Sequence, residues 1–132
     1  MFCYMKTRCY LCINYISQTK MELKPRFEVL FLTEADSFLQ SLPVKARSKV
    51  QFNIMKAQYE NDPELFKKLN DNIWEFRTRF NGMAYRLFAF WDKDIRAMVV
   101  ATHGLIKKTQ KTPAGEIKRA EEIMKTYYEQ KK

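Results

Sequence analysis

IWEFRTRFNGMAYRLFAFW, residues 73–91, decides the fold. Its centre, Asn81-Gly82, is a strong hairpin signal, because a type I′ turn needs positive φ at both central residues. A two-residue turn there pairs Phe80 with Met83. Counting outwards, Thr78 meets Tyr85, Arg77 meets Arg86, Phe76 meets Leu87 and Glu75 meets Phe88. Paired residues share a face of the sheet. One face therefore carries Glu75, Arg77, Arg79, Arg86 and Phe88. The other carries Trp74, Phe76, Leu87 and Ala89, which suits a core under helices.

Working downstream, IRAMVVATHG (95–104) reads as a third strand, reached through Asp92-Lys93-Asp94. A two-residue turn at Lys93-Asp94 pairs Arg86 with Ala101 and sets His103 on the arginine face. A three-residue loop slips the register and turns His103 away, because side chains alternate with period two. Both registers remain open at this point. Thr112 is placed to cap a last helix with Pro113 at its first position, and Ile117, Ala120, Ile123 and Tyr127 recur on one face of it.

Upstream, RFEVLFL (26–32) is near-continuously apolar and reads as an interior strand. Thr33 followed by Asp36 resembles a capping box for a short helix through SFLQSL. Pro43 suits the first turn of a second helix running to about Glu60. Val44, Val50, Ile54 and Ala57 form its apolar stripe, with Lys45, Arg47, Lys49 and Lys56 around the rest. NDPELFKKLND (61–71) reads as a connection. The order is strand, helix, helix, strand, strand, strand, helix. It predicts a compact α+β domain whose two N-terminal helices and one C-terminal helix cover one face of an antiparallel sheet.

The chain has 132 residues and a formal charge of +9, which fits one domain with an acidic partner such as nucleic acid. No apolar run reaches the roughly 18 residues of a membrane span. All three cysteines fall in residues 1–20, where no regular period is visible. Cys9 and Cys12 make a lone C-x-x-C, short of the about four ligands of a structural zinc, so no metal is expected. Residues 1–20 read as an extension ahead of a functional start at Met21, and residues 21–132 as the domain. Removing Lys6, Arg8 and Lys20 leaves 21 cations against 15 acids, so the domain keeps +6. A cysteine-free domain fits a reducing cytoplasm.

Arg77 opposite Arg86 is unfavourable unless something compensates: Glu75, solvent or a bound anion. One reading is a solvated face with Glu75 as salt-bridge partner. The other is a phosphate clamp, since guanidinium forks pair bidentately with phosphate oxygens. THGLIKKTQKTP (102–113) adds His103, the single histidine, and Lys107, Lys108 and Lys111 near the same end. RNA can be cut without a metal when its 2′-hydroxyl attacks the adjacent phosphorus. That needs a proton acceptor, cations for the phosphorane and an acid for the leaving 5′-oxygen. His103 and Glu75 are the groups able to move a proton near neutral pH, and Phe88 or Tyr85 is a candidate for stacking on a base, Tyr85 being expected on the other face. No Walker loop, nucleophile elbow, zinc signature or dinucleotide fingerprint occurs.

WEFRTRFNGMAYRLFAFWD followed by THGLIKKTQKTPAGEIKRAEEI resembles the HigB-type toxins of the RelE/ParE superfamily, in the branch related to phage-derived proteins. The likeness spans about residues 26 to 129; residues 1–20 have no counterpart in it. The resemblance implies a RelE-like toxin fold and an endoribonuclease (an mRNA interferase) that cuts translated mRNA at the ribosome and arrests growth. It implies a helix-turn-helix antitoxin (HigA-like) as partner, and no cofactor, metal or membrane. It implies Arg77, Arg86, His103, Lys107 and Lys108 as catalytic candidates, with Glu75 and Lys111 as second choices at the RNA; Arg79 and Phe88, on the same counted face, are the further RNA-binding candidates. RelE relies on a tyrosine near its chain end. Tyr127 and Tyr128 fall in the last helix here, so that role is not carried over and the general base stays open. Two other functions remain: a ParE-like toxin acting on DNA gyrase, and a degenerate domain that binds RNA or a partner without cleaving.

Overall fold

The structure, a computed structural model, describes residues 24–107 and 112–132 and the backbone of residues 3–4. Six strands, β1 (Cys3–Tyr4), β2 (Glu28–Phe31), β3 (Phe66–Lys68), β4 (Ile73–Phe80), β5 (Met83–Trp91) and β6 (Met98–Lys107), form one sheet in the order β1-β2-β6-β5-β4-β3. Among the described residues three helices accompany the sheet in an α+β fold: α1 (Thr33–Ser41), α2 (Val44–Tyr59) and α3 (Ala114–Gln130). Most pairings are antiparallel. The exception is β2 beside β6, which run parallel because α1, α2 and the meander carry the chain back across the sheet. Apart from Cys3–Tyr4, which pairs with Phe31 and Leu30, the expected extension and its Cys9 and Cys12 lie outside the described residues.

The central hairpin has the register that Asn81-Gly82 dictates. Both turn residues take positive φ, 51° and 75°, and Phe80–Met83 through Glu75–Phe88 pair as counted. The β5–β6 connection follows neither of the two short turns. Trp91 pairs with Val99, so residues 92–97 form the loop, and Asp92 holds it by accepting from the backbone N–H of Asp94 and Ile95. Ala89 pairs with Ala101 but Phe88 pairs with His103, which makes Thr102 the extra residue of a β-bulge. The bulge inverts the alternation beyond it. His103 thereby falls on the arginine face, and Gly104 faces α1, where an added Cβ would collide with the Phe38 ring.

The helices divide between the two faces rather than covering one. Ala35 and Leu39 of α1 and Ala46, Val50, Ile54 and Ala57 of α2 pack with Phe76, Leu87, Ala89 and Val99. On the opposite face, Ala120 and Tyr127 of α3, supported by Ile117 and Ile123, pack with Ile73, Phe88, Phe90 and Val100. Val44 does not belong to the stripe expected of it: it is 70% exposed at the start of α2. Arg47, expected on the surface, instead donates to the carbonyls of Leu39, Gln40 and Leu42, closing the C-terminal end of α1. The helix starts shift by one residue. Leu32, Pro43 and Pro113 hold the N-cap positions without side-chain capping, so Thr33 and Thr112 are not caps.

The segment 61–71 is also more than a connection. Phe66–Lys68 adds strand β3 beside β4, and the Phe66 ring stacks on Trp74 and Phe76 with centroids 4.9 and 4.3 Å away. Among the described residues no helix is long and apolar enough to cross a membrane.

Candidate functional site

The strand registers align four rows of side chains on the α3 face. From the apolar end they are Ile73-Phe90-Val100, Lys67-Glu75-Phe88-His103, Arg77-Arg86-Leu105 and Arg79-Ala84-Lys107. α3 covers the first row and half of the second. The remaining rows gather charge where α3 begins.

At the centre of that charge, Glu75 and Arg86 are each only 2% exposed. The Oε1 of Glu75 lies 3.4 Å from the Arg86 Nε and its Oε2 lies 3.7 Å from the Arg77 Nε. Glu75 thus supplies the compensation that two facing arginines require, as the solvated-face reading proposed, but inside the protein rather than in solvent. The compensation is partial. Both Nε atoms are shielded from solvent and make no hydrogen bond among the described residues. A buried donor without an acceptor costs about 1–3 kcal/mol, so each Nε is a donor that the described residues leave short of a hydrogen bond.

Lys107 closes the cluster. Its ammonium donates to the Thr112 hydroxyl at 3.2 Å, and that hydroxyl donates to Glu75 Oε1 at 2.8 Å. Burial pulls the Lys107 pKa below its ordinary value, and the neighbouring Arg86 pulls it further. Burial likewise lowers the pKa of Arg86, with Glu75 opposing and Arg77 and Arg79 adding to the fall. Arg79 stands exposed at the margin and Lys67 stands exposed beside Glu75 on β3. The arrangement is a buried Arg86 and a partly exposed Arg77 with a carboxylate between them, a perturbed lysine above, and exposed cations at two sides.

Glu75, Arg77, Arg86 and Lys107 therefore converge, with Arg79 beside them. Lys108 and Lys111 lie outside the described residues. Phe88 and His103 are brought together, but in the core: their rings stack with centroids 4.8 Å apart, and His103 is 2% exposed. His103 Nε2 lies 2.7 Å from the Glu116 carboxylate on α3, and Nδ1 lies 3.1 Å from the Thr102 hydroxyl. Burial holds the imidazole below its ordinary pKa, opposed by the Glu116 hydrogen bond. This histidine ties the bulge to the first turn of α3. Phe88, fully buried beneath that helix, has no face open to a base. Tyr127 is likewise committed, its hydroxyl donating to Asp92 at 2.6 Å.

Two residues were missed by sequence reasoning. Lys67 is legible only once FKK is recognised as a strand in register with Glu75. Thr112 was read as a helix cap, the commonest duty of a Thr-Pro pair, whereas its hydroxyl turns inward.

Residues 37–125 match the family described as Phage derived protein Gp49-like (DUF891), more than half of the chain. The chain belongs to the Gp49-like family. This is a toxin family in the RelE/HigB-type branch, and the matched span contains β3 to β6 and every described residue of the charged cluster. A comparison with curated proteins finds no match.

Proposed function

We propose that this Gp49-like protein is the toxin of a two-gene toxin–antitoxin system and an endoribonuclease that cuts mRNA on translating ribosomes in the cytoplasm. The observation that carries the proposal is the pair of solvent-shielded Arg77 and Arg86 Nε donors, ion-paired with Glu75 but making no hydrogen bond among the described residues, with Lys107 in the adjoining row. Phosphate is the ligand whose oxygens match such donors, and RNA is the phosphate polymer that a toxin of this branch is expected to meet.

In this reading Arg79 and Lys67 draw the backbone in from the exposed margin. Arg77 and Arg86 hold the scissile phosphate and neutralise the phosphorane as charge builds on its oxygens. Glu75 accepts the proton of the 2′-hydroxyl as its oxygen attacks phosphorus. Lys107, with its lowered pKa, delivers a proton to the departing 5′-oxygen. The products are a 2′,3′-cyclic phosphate and a 5′-hydroxyl, with no metal or cofactor in the scheme. His103 and Phe88 act by packing α3 against the sheet, and Lys108 and Lys111 are assigned to RNA binding by charge alone. A helix-turn-helix antitoxin is the partner that silences it.

The test is induction of the protein in a bacterial host with mapping of new transcript 5′ ends, for wild type and Arg77→Ala. New ends inside translated regions that vanish in the variant support the reading. Growth arrest with intact transcripts and accumulated cleaved DNA would instead indicate gyrase. Neither arrest nor cuts would indicate a non-cleaving binding domain.

A further inference from the structure

Thr112 presents an alcohol to the centre of the charged cluster in an unusual way. Its oxygen receives a hydrogen bond from the Lys107 ammonium and its proton points at Glu75 Oε1. A hydroxyl held between a carboxylate that draws on its proton and a cation that favours its oxyanion is a hydroxyl positioned for activation. Thr112 has nothing to attack. It does, however, sit on the carboxylate oxygen that a reacting hydroxyl must reach, and with it in place Glu75 is 2% exposed. A substrate hydroxyl therefore reaches the buried Glu75 Oε1 by displacing Thr112.

We infer that Thr112 occupies the subsite of the ribose 2′-hydroxyl, so that its side chain stands in for the sugar in the free protein and is exchanged for it when RNA binds. The inference rests on the nuclease reading above and deepens it by naming the group that recognises the sugar. The exchange has a thermodynamic consequence. A ribonucleotide replaces one hydroxyl on Glu75 with another, so its gain is small. A 2′-deoxynucleotide leaves Thr112 where it is. The wild type therefore gains little affinity from the 2′-hydroxyl in the ground state, and removing the Thr112 hydroxyl lets that group bind without competition.

The measurement is the affinity of two uncleavable oligonucleotides ending in a 3′-phosphate, one with and one without the terminal 2′-hydroxyl. Wild type, Thr112→Ala and Thr112→Ser are compared, with folding checked by thermal melting. Thr112→Ala should raise the preference for the 2′-hydroxyl roughly tenfold, the worth of one hydrogen bond to a charged group, and Thr112→Ser should keep the wild-type ratio. An unchanged preference in an alanine variant, while wild type still cleaves RNA, overturns the shared subsite and leaves the nuclease reading standing. Weaker ribonucleotide binding in the alanine variant, restored by serine, also overturns it and makes Thr112 a positioning residue for Glu75. Failure of wild type to cleave any RNA overturns both.

Discussion

Arg77 and Arg86 face each other directly across the β4–β5 ladder, and a single carboxylate, Glu75, lies within 3.7 Å of one Nε and 3.4 Å of the other. Two like charges in register would ordinarily disfavour the hairpin. Here Asn81-Gly82 and the apolar rows on either side fix the register, and the charges are carried along by it. The strain is thus held by the core and concentrated where an anion can relieve it.

Removing the negative charge should expose that strain. Glu75→Gln keeps the shape but leaves the buried Arg86 guanidinium and the partly exposed Arg77 uncompensated, and should destabilise the fold by about 3 kcal/mol in urea unfolding. Adding Arg86→Met should recover part of the loss, since the uncompensated charge is then gone. Strictly additive costs in that double-mutant cycle would show that Glu75 and Arg86 are not coupled.

Phosphate should act in the opposite direction. The thermal midpoint of wild type should rise with added inorganic phosphate, by ligand linkage, and the rise should be smaller in Arg86→Met. A rise of equal size in both proteins would assign phosphate binding to the exposed cations alone.

Acid should weaken the fold through His103. Its folded-state pKa lies below the ordinary 6.5, with burial the main cause. As pH falls through that value the unfolded chain takes up a proton that the folded chain refuses. Stability present at neutral pH is therefore lost as pH drops from 6.5 toward the folded pKa. Urea midpoints between about pH 7.5 and 5.5 should fall for wild type and less steeply for His103→Gln. Parallel curves would mean that the ring is not buried in its neutral form.

Gly104→Ala tests the bulge. The new methyl would meet the Phe38 ring of α1, and overpacking there should cost at least about 1–3 kcal/mol. Phe38→Ala in the same chain should restore part of it by making room. If Gly104→Ala alone leaves stability unchanged, β6 does not hold the inverted alternation beyond Thr102.

The other end of α3 gives a simpler expectation. Asp92 would be raised by its burial, but hydrogen bonds from Tyr127 and Lys131 hold its carboxyl below the ordinary value, and the Tyr127 phenol is pushed up to about 12. Tyr127→Phe should cost about 1.5–3 kcal/mol at neutral pH, as expected for a hydrogen bond to a charged group. A cost near zero would mean that Asp92 is satisfied by Lys131 and the backbone alone.

What the sequence made legible was local. Asn81-Gly82 announces a turn with a known twist, so the register of β4 against β5, and with it the meeting of Glu75, Arg77 and Arg86, could be counted in advance. The face of His103 was undetermined because a bulge at Thr102 sets it, and no short pattern encodes a bulge closed by tertiary packing. Strand β3 was hidden because three residues show no period. The burial of the arginine face was misjudged, although Leu87-Phe88-Ala89-Phe90 carried the signal: a run without a polar break marks a strand covered on both sides. Thr112 shows a different limit. Its duty depends on Glu75, far away in sequence, and the Thr-Pro pair gives a sufficient but wrong local reason for its presence.

The central claim is that RNA's own 2′-hydroxyl is the nucleophile at this cluster. It is tested most directly by the end chemistry of RNA cut by purified protein on programmed ribosomes, after brief chelation of divalent ions and their replacement only as needed to keep the ribosomes intact. The account predicts upstream fragments ending in a 2′,3′-cyclic phosphate or its 3′-phosphate hydrolysis product, downstream fragments with a 5′-hydroxyl, and no cutting of RNA that is 2′-deoxy at the cleaved nucleotide. Fragments bearing a 5′-phosphate and a 3′-hydroxyl, or undiminished cutting at a 2′-deoxy nucleotide, would contradict it.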